Sequence, residues 1–256
     1  MEYQTIRGEK VPSLGLGTYR LTGEACARAV ERALSMGYRH VDTAQMYGNE
    51  AEVGRGVESS GVDRGEVFLT TKVWPDDFAY ERVIRKVRES LKKLGTDYVD
   101  LLLMHWPSER VPLEETLGAM RELQEAGSTL HVGVSNFSPS LVQEASRYAE
   151  IFCNQVEYHP YKDQSALLKQ ARETDYLLTA YRPLSRGSVE DDATLREIGE
   201  AHGKSAAQVT LRWLIQQEKV SAIPKATGED HLMANLDVFD FELSAEEMDR
   251  VSTLRR

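Results

Sequence analysis

Four residues able to move protons fall at or just beyond the ends of short apolar runs. His40-Val41 closes in Asp42, and a polar, Gly-containing stretch then carries Tyr47 before a helical pattern begins at Asn49, with Glu50, Val53, Val57 and Glu58. The run from Val67 closes in Lys72, and the run from Val99 closes in His105, followed by Trp106-Pro107. A carboxylate, a phenol, an ammonium and an imidazole at the ends of consecutive strands are suited to general acid–base work. A free phenol titrates near about 10. A neighbouring ammonium favours the phenolate and lowers that value. A carboxylate would keep a buried ammonium charged and pointed inward. Taken one at a time, each residue also has an ordinary reading. Asp42 and Lys72 are then a structural ion pair, Tyr47 a loop aromatic and His105 a core histidine with its partners in place.

The elements that must position these groups alternate between strand and helix. Residues 3–12 form a short hairpin turning at Arg7-Gly8, and residues 14–17 a first strand ending in Gly15-Leu16-Gly17-Thr18-Tyr19-Arg20. That ending is not the dinucleotide fingerprint, because its sixth position is Arg20 and no glycine-rich turn opens the helix. Gly15 and Gly17 instead let the backbone approach something closely. Ala25, Ala29, Val30, Ala33 and Leu34 share a helix face stopped by Gly37. Val83, Ile84, Val87, Leu91 and Leu94 form a second apolar stripe, and Leu113, Leu117, Met120 and Leu123 a third, closed by Gly127. Further strands are expected at 67–72, 99–104, 130–134, 152–156, 176–180 and 221–223, with a short helix at 166–172 between two of them. The strand at 99–104 is apolar throughout after Asp100, as a parallel strand covered on both faces must be. Ser138-Pro139 starts one helix. Capping boxes at Ser205 to Gln208 and at Ser244 to Glu247 start two more, the last ending near Leu254. Eight strands in 256 residues leave about 32 per unit, close to one βα repeat. The expected fold is α/β, a (β/α)8 TIM barrel with an N-terminal β-hairpin and an extra C-terminal helix, as one domain over residues 1–256. An open doubly wound sheet is the alternative.

Lys plus Arg number 31 and Asp plus Glu 41, a net charge of −10, which argues against nucleic acid as a partner. Cys26 and Cys153 have no metal-ligand spacing and are expected to be reduced and buried, and no metal is expected. No apolar run approaches the roughly 20 residues that span a bilayer. The N-terminus lacks the basic and apolar segments of a secretory leader. A cytoplasmic protein without membrane partners is expected.

Seven ordered motifs carry a resemblance to the aldo-keto reductase family. They are GYRHVDTAQMYGNEAEVG from Gly37, TTKVWP from Thr70, LLLMHWP from Leu101, GVSNF from Gly133, NQVEYHP from Asn154, AYRPLSRG from Ala180 and IPKAT from Ile223. Any one would be weak; in order, over nearly the whole chain, they make it similar to the short bacterial-type members. The resemblance implies NADPH-dependent reduction of a small carbonyl compound. Tyr47 would be the proton donor, Lys72 and Asp42 would tune it, and His105 would donate to the carbonyl oxygen. It also implies that Ser135, Asn136 and Gln155 hold the nicotinamide carboxamide and that Tyr181 stacks on the ring. The loop Pro183, Leu184, Ser185 and Gly187, with Arg186, would cover the pyrophosphate, and Gly17 and Thr18 would adjoin the cofactor. Lys225, Ala226, Thr227 and His231 would meet the adenosine 2′-phosphate, with Asn235 near adenine.

Three positions depart from the family pattern. Arg182 stands in place of a usual serine, either as an added phosphate contact or pointing to solvent. Ala226 replaces a serine after Lys225. His231 stands where an arginine commonly grips the 2′-phosphate, and a mostly neutral imidazole is a poorer anion ligand than a guanidinium fork. NADP(H) is therefore expected to bind chiefly through Lys225, with weakened discrimination against NAD(H). Tyr19, Met46, Trp74, Trp106 and Phe137 adjoin strand ends and are expected to line an aromatic cleft for the carbonyl substrate, Met46 being the one most easily read as core. The short loop after His105 and a chain that stops soon after its last helix suggest an open site. A monomer is expected. Two other readings compete. Lys72 could form a Schiff base as in barrel aldolases, although an ammonium paired with Asp42 is a poor nucleophile. The barrel could also be a cofactor-sensing module with little turnover.

Overall fold

The computed structural model describes residues 1–254; the last two residues of the expected domain, Arg255 and Arg256, lie outside the described residues. A hairpin of β1 (Tyr3–Ile6) and β2 (Glu9–Pro12) comes first. Its two-residue turn places Arg7 at φ 49° and Gly8 at φ 86°, the left-handed pair that matches the twist of a tight hairpin. Then follow β3 (Leu16–Gly17), α1 (Gly23–Ser35), β4 (His40–Asp42), α2 (Glu50–Ser59), β5 (Phe68–Val73), α3 (Tyr80–Leu94), β6 (Val99–Met104), α4 (Leu113–Glu125), β7 (Thr129–Ser135), α5 (Pro139–Ala145), β8 (Cys153–Glu157), α6 (Ser165–Thr174), β9 (Leu177–Tyr181), α7 (Ala193–His202), α8 (Ala206–Ile215), β10 (Val220–Ala222), α9 (Glu229–Leu236) and α10 (Ala245–Ser252).

Strands β3 to β10 pair in chain order, all parallel. The two ends of the sheet meet. Leu14 bridges Ala222 in parallel, Gly15 donates its amide to the Ala222 carbonyl at 2.8 Å, and Gly17 donates to that of Pro224 at 3.1 Å. The result is the (β/α)8 barrel, not an open sheet. Alternation along β6 explains its continuous apolar run. Leu102 and Met104 belong to the large core between strands and helices. Leu101 and Leu103 belong to a separate cluster with Phe152, Cys153 and Leu177, joined by Ile6 and Val11 of the hairpin. The hairpin thus covers the amino-terminal end of the barrel interior, and the opposite end is left for a site.

Both expected capping boxes form, at Ser205 with Gln208 and at Ser244 with Glu247. Ser138 accepts from the Leu141 amide at 3.3 Å, so α5 starts where Ser138-Pro139 places it. Cys26 and Cys153 are free and buried. Two helices have no counterpart in the sequence reading. Helix α7 is announced by Asp192, whose carboxylate accepts from Thr194 and Leu195, and it ends at Gly203. The short α9 buries only Leu232 and Asn235, which leaves little periodic signal. Asn49 stands at the cap position of α2, but its amide turns away from the helix to donate to the Thr18 and Leu21 carbonyls, each at 2.9 Å. Among the described residues no helix is long and apolar enough to cross a membrane, and no group of three or more His, Cys, Asp or Glu could hold a metal ion.

Candidate active site

The carboxyl ends of β4, β5 and β6 bring Asp42, Lys72 and His105 to one end of the barrel, and the short turn after β4 lays Tyr47 across them. Lys72 is fully buried and donates to the Asp42 carboxylate at 2.6 Å and to the Thr43 carbonyl at 2.8 Å. The other Asp42 oxygen accepts from the Gln155 amide at 2.7 Å. The Asp42 carbonyl accepts from both the backbone amide and the hydroxyl of Thr18. The Lys72 ammonium lies 5.2 Å from the centre of the Tyr47 ring and acts on its hydroxyl by charge. The Tyr47 and His105 rings meet edge to face with centres 5.7 Å apart. The Trp74 ring also meets His105 edge to face, with centres 5.1 Å apart.

Burial raises the Tyr47 phenol above its ordinary value, Lys72 opposes this, and Asp42 partly cancels Lys72. The net direction is upward. The ammonium does lower the phenol, as expected, but it is already compensated by a carboxylate, and the loss of water around the ring outweighs it. Burial acts to lower Lys72, but Asp42 and Tyr47 outweigh it and hold the ammonium above its ordinary range. Burial, with Lys72 adding to it, pushes the His105 imidazole down to about 3, so the ring is neutral at physiological pH. Its Nδ1 is buried with no hydrogen-bond partner. The site therefore combines a protonated phenol, a neutral imidazole and a charged, fully paired lysine.

Around the opening the other expected residues fall into two groups. Some are already committed to the chain itself. Thr18 is wholly buried on Asp42. Gly17 lacks a Cβ because one would lie 2.7 Å from the Ile223 carbonyl oxygen, so its close approach is to β10's continuation and not to a ligand. The Ser135 hydroxyl donates to the Gln155 carbonyl at 2.8 Å. Asn136, left-handed at φ 63°, donates to Ser135 and to the His105 carbonyl and accepts from the Tyr181 hydroxyl at 2.8 Å. Ser135, Asn136, Gln155 and Tyr181 thus form one bonded row from Asp42 across β8, β7 and β9. Burial, with Glu157 adding to it, raises the Tyr181 hydroxyl to about 12. Arg182 points to the Glu157 carboxylate at 3.5 Å, which accounts for a cation where serine is usual. The second group is partly open. After Pro183 and Leu184 the backbone runs left-handed through Ser185, Arg186 and Gly187. Lys225, Thr227 and His231 are exposed, while Ala226 and Asn235 are buried.

The mouth is only partly the expected cleft. Tyr19 and Trp106 are exposed beside the site, and the Tyr19 ring stands 5.0 Å from that of Tyr47. Met46 is 44 % exposed, so it is part of the rim and not core. Phe137 is 1 % exposed among the helix-facing core residues and lines nothing: the left-handed turn at Asn136 carries it inward. Arg20 was not anticipated. It is itself left-handed at φ 65° and holds its guanidinium over the Tyr19 ring at 5.4 Å. In the sequence Asn49 is only a helix start, yet it ties the Tyr47 segment to the end of β3. The buried polar type in an otherwise helical pattern was the available signal.

Comparison with known proteins gives the family. The family model described as aldo/keto reductase family matches residues 13–256. Glyoxal reductase of Bacillus subtilis is 40 % identical over 252 residues, covering 97 % of this chain and 91 % of its own. A crystal structure of a putative 2,5-diketo-D-gluconic acid reductase B superposes with a TM-score of 0.98 at 48 % identity, over 100 % of this chain and 92 % of that one. An aldo-keto reductase of Bombyx mori in complex with NADP gives 0.92 at 32 % identity, over 100 % and 94 %. With the barrel, the ordered motifs and this match over nearly its full length, the chain belongs to the aldo/keto reductase family of oxidoreductases.

Proposed function

We propose that this protein reduces small aldehydes and ketones to alcohols with a nicotinamide cofactor and that Tyr47 delivers the proton. The observation that carries the reading is the meeting of Tyr47, Lys72, Asp42 and His105 at the carboxyl end of the barrel. When bound, the cofactor supplies the hydride. The chain's own part is to hold the carbonyl oxygen between the Tyr47 hydroxyl and the neutral His105 imidazole, whose single N–H is a donor. As negative charge grows on that oxygen, the Tyr47 proton moves to it, and the Lys72 ammonium stabilises the phenolate left behind. Asp42 keeps Lys72 from drifting and from losing its charge. The raised phenol is protonated at neutral pH but is the weaker acid for it, so its proton transfer leans on the Lys72 ammonium to stabilise the phenolate.

The residues around the opening fit the cofactor in type. The row from Ser135 to Tyr181 offers amide groups and a ring held at its hydroxyl. In the left-handed run at Ser185 to Gly187 the Ser185 and Gly187 amides donate to the Arg182 and Leu184 carbonyls, so the groups this loop offers an anion are the Ser185 and Arg186 side chains. Lys225 is an exposed cation for the adenosine phosphate. Against strong NADPH selectivity stand His231 in place of a guanidinium and two acids, Glu229 and Asp230, in the first turn of α9. The reading is therefore NADP(H) with appreciable use of NAD(H). Comparing kcat/KM for the two cofactors checks it: a ratio within about tenfold is expected, and a preference of several hundredfold contradicts it.

The substrate reading is a small carbonyl compound with a flat or apolar body, supported by Tyr19, Trp74 and Trp106 at the mouth. Arg20 on the rim is compatible with an acidic tail, such as the keto acid named for the similar reductase structure. Consumption of NADPH across neutral aldehydes, ketones, keto acids and ketosugars tests the reaction class; a wild-type protein that oxidises NADPH with none of them contradicts it. The Schiff-base alternative loses ground because Lys72 is paired at 2.6 Å and held charged.

A further inference from the structure

Glu50 opens α2 three residues after Tyr47, and its carboxylate is 1 % exposed. One oxygen accepts from the Thr71 hydroxyl at 2.7 Å. Thr71 directly precedes Lys72 on β5, and neighbouring strand residues point to opposite faces. Lys72 therefore reaches into the barrel toward Asp42, while Thr71 reaches outward to Glu50. The second Glu50 oxygen is buried without a hydrogen-bond partner, with the Lys93 ammonium of α3 at 3.7 Å. Burying a carboxylate with one oxygen unsatisfied is costly, and an apolar contact would fasten a helix to a strand more cheaply. Part of that cost is offset by the positive end of α2.

The place of this contact suggests what it is for. The segment bearing Tyr47 meets β5 at its start, where Thr43 donates its amide to the Thr70 carbonyl and accepts from Lys72, and beyond that its own side chains fasten it at three points. Gln45 donates to Ser90 of α3 at 3.0 Å, and Asn49 binds the end of β3. Glu50 alone of these three grips β5, the strand that carries Lys72. We propose that Glu50 is a positioning residue: from outside the barrel, through Thr71 and balanced by Lys93, it sets the distance between the Tyr47 hydroxyl and the Lys72 ammonium. The proposal rests on Tyr47 being the proton donor. Proton transfer is sensitive to such placement, since a displacement of about 1 Å can cost on the order of a hundredfold in rate.

The test compares Glu50→Ala, Glu50→Gln and Thr71→Val in the full chain, with NADPH and with NADPH carrying deuterium at the transferred position. Glu50→Ala is expected to lower kcat roughly 10- to 100-fold. NADPH affinity should stay within about twofold, and the deuterium effect on kcat should grow as chemistry becomes slower. Glu50→Gln keeps an oxygen for Thr71 and should recover most of the rate. A purely structural loss would instead lower the fraction of protein that binds NADPH and leave the isotope effect alone; that result overturns the proposal. So does wild-type turnover in Glu50→Ala. If Glu50→Ala does not fold, Thr71→Val decides: a slowed kcat with a larger isotope effect supports the proposal, and unchanged kinetics overturn it. A wild type active on carbonyls beside an unaffected variant sinks this inference alone, whereas an inactive wild type sinks the reduction chemistry beneath it.

Discussion

At the scale of single residues, the site is built on a charge that the fold has paid to bury. Lys72 has no solvent contact and one carboxylate partner, whose other oxygen is held by Gln155 while Thr18 holds the Asp42 backbone carbonyl. Removing one member of such a pair leaves an uncompensated buried charge, typically about 3–5 kcal/mol. Asp42→Asn is thus expected to lower the unfolding free energy from denaturant titration by an amount of that size as well as to slow turnover; a loss below about 1 kcal/mol would show that the ammonium finds another partner. The identity of these residues was legible in the chain, because Asp, Lys and His are poor choices to end an apolar strand unless the strand end faces something polar. Their balance was not legible. The fate of Tyr47 depends on how much water its ring loses, and burial is a property of the assembled barrel. Phe137 was misread for a related reason: the left-handed turn at Asn136, invisible in composition, sends its side chain to the core.

At the scale of elements, the strands and amphipathic helices were readable to within a residue or two, because their periodicity follows directly from which face is covered. Helix α7 was missed behind the acidic, left-handed stretch that precedes it, and α9 because two buried residues make no stripe. The closure of the barrel depends on a contact that no local pattern specifies. Gly17 lies against the Ile223 carbonyl, with 2.7 Å available where a Cβ would stand. Gly17→Ala is expected to push β3 off β10 and cost about 1–3 kcal/mol, as overpacking does. Because Thr18 and Asp42 follow from that register, kcat should fall as well. Thermal and denaturant unfolding check the first part; an unchanged midpoint would mean the seam is slack.

At the scale of the whole molecule, burial lowers four histidines, His40, His105, His131 and His159, and so makes stability depend on pH. Burial pushes His40 down to about 4 and His105 to about 3, while an unfolded imidazole protonates near about 6.5. Below that value the unfolded chain binds protons that the folded chain refuses, so stability is complete above it and is lost progressively as the pH falls through 6.5 toward 4 and 3. His40 alone should contribute on the order of 3 kcal/mol to the difference. His40→Gln is expected to flatten the acid limb of a Tm-against-pH curve, and an equally steep limb would assign acid sensitivity elsewhere. The central claim concerns what the assembled barrel does with one phenol. Tyr47→Phe removes a single oxygen and leaves the ring between Tyr19 and His105. Turnover of a carbonyl substrate should then fall on the order of 10²- to 10⁴-fold, while NADPH binds as before. Wild-type kcat in Tyr47→Phe would contradict the account.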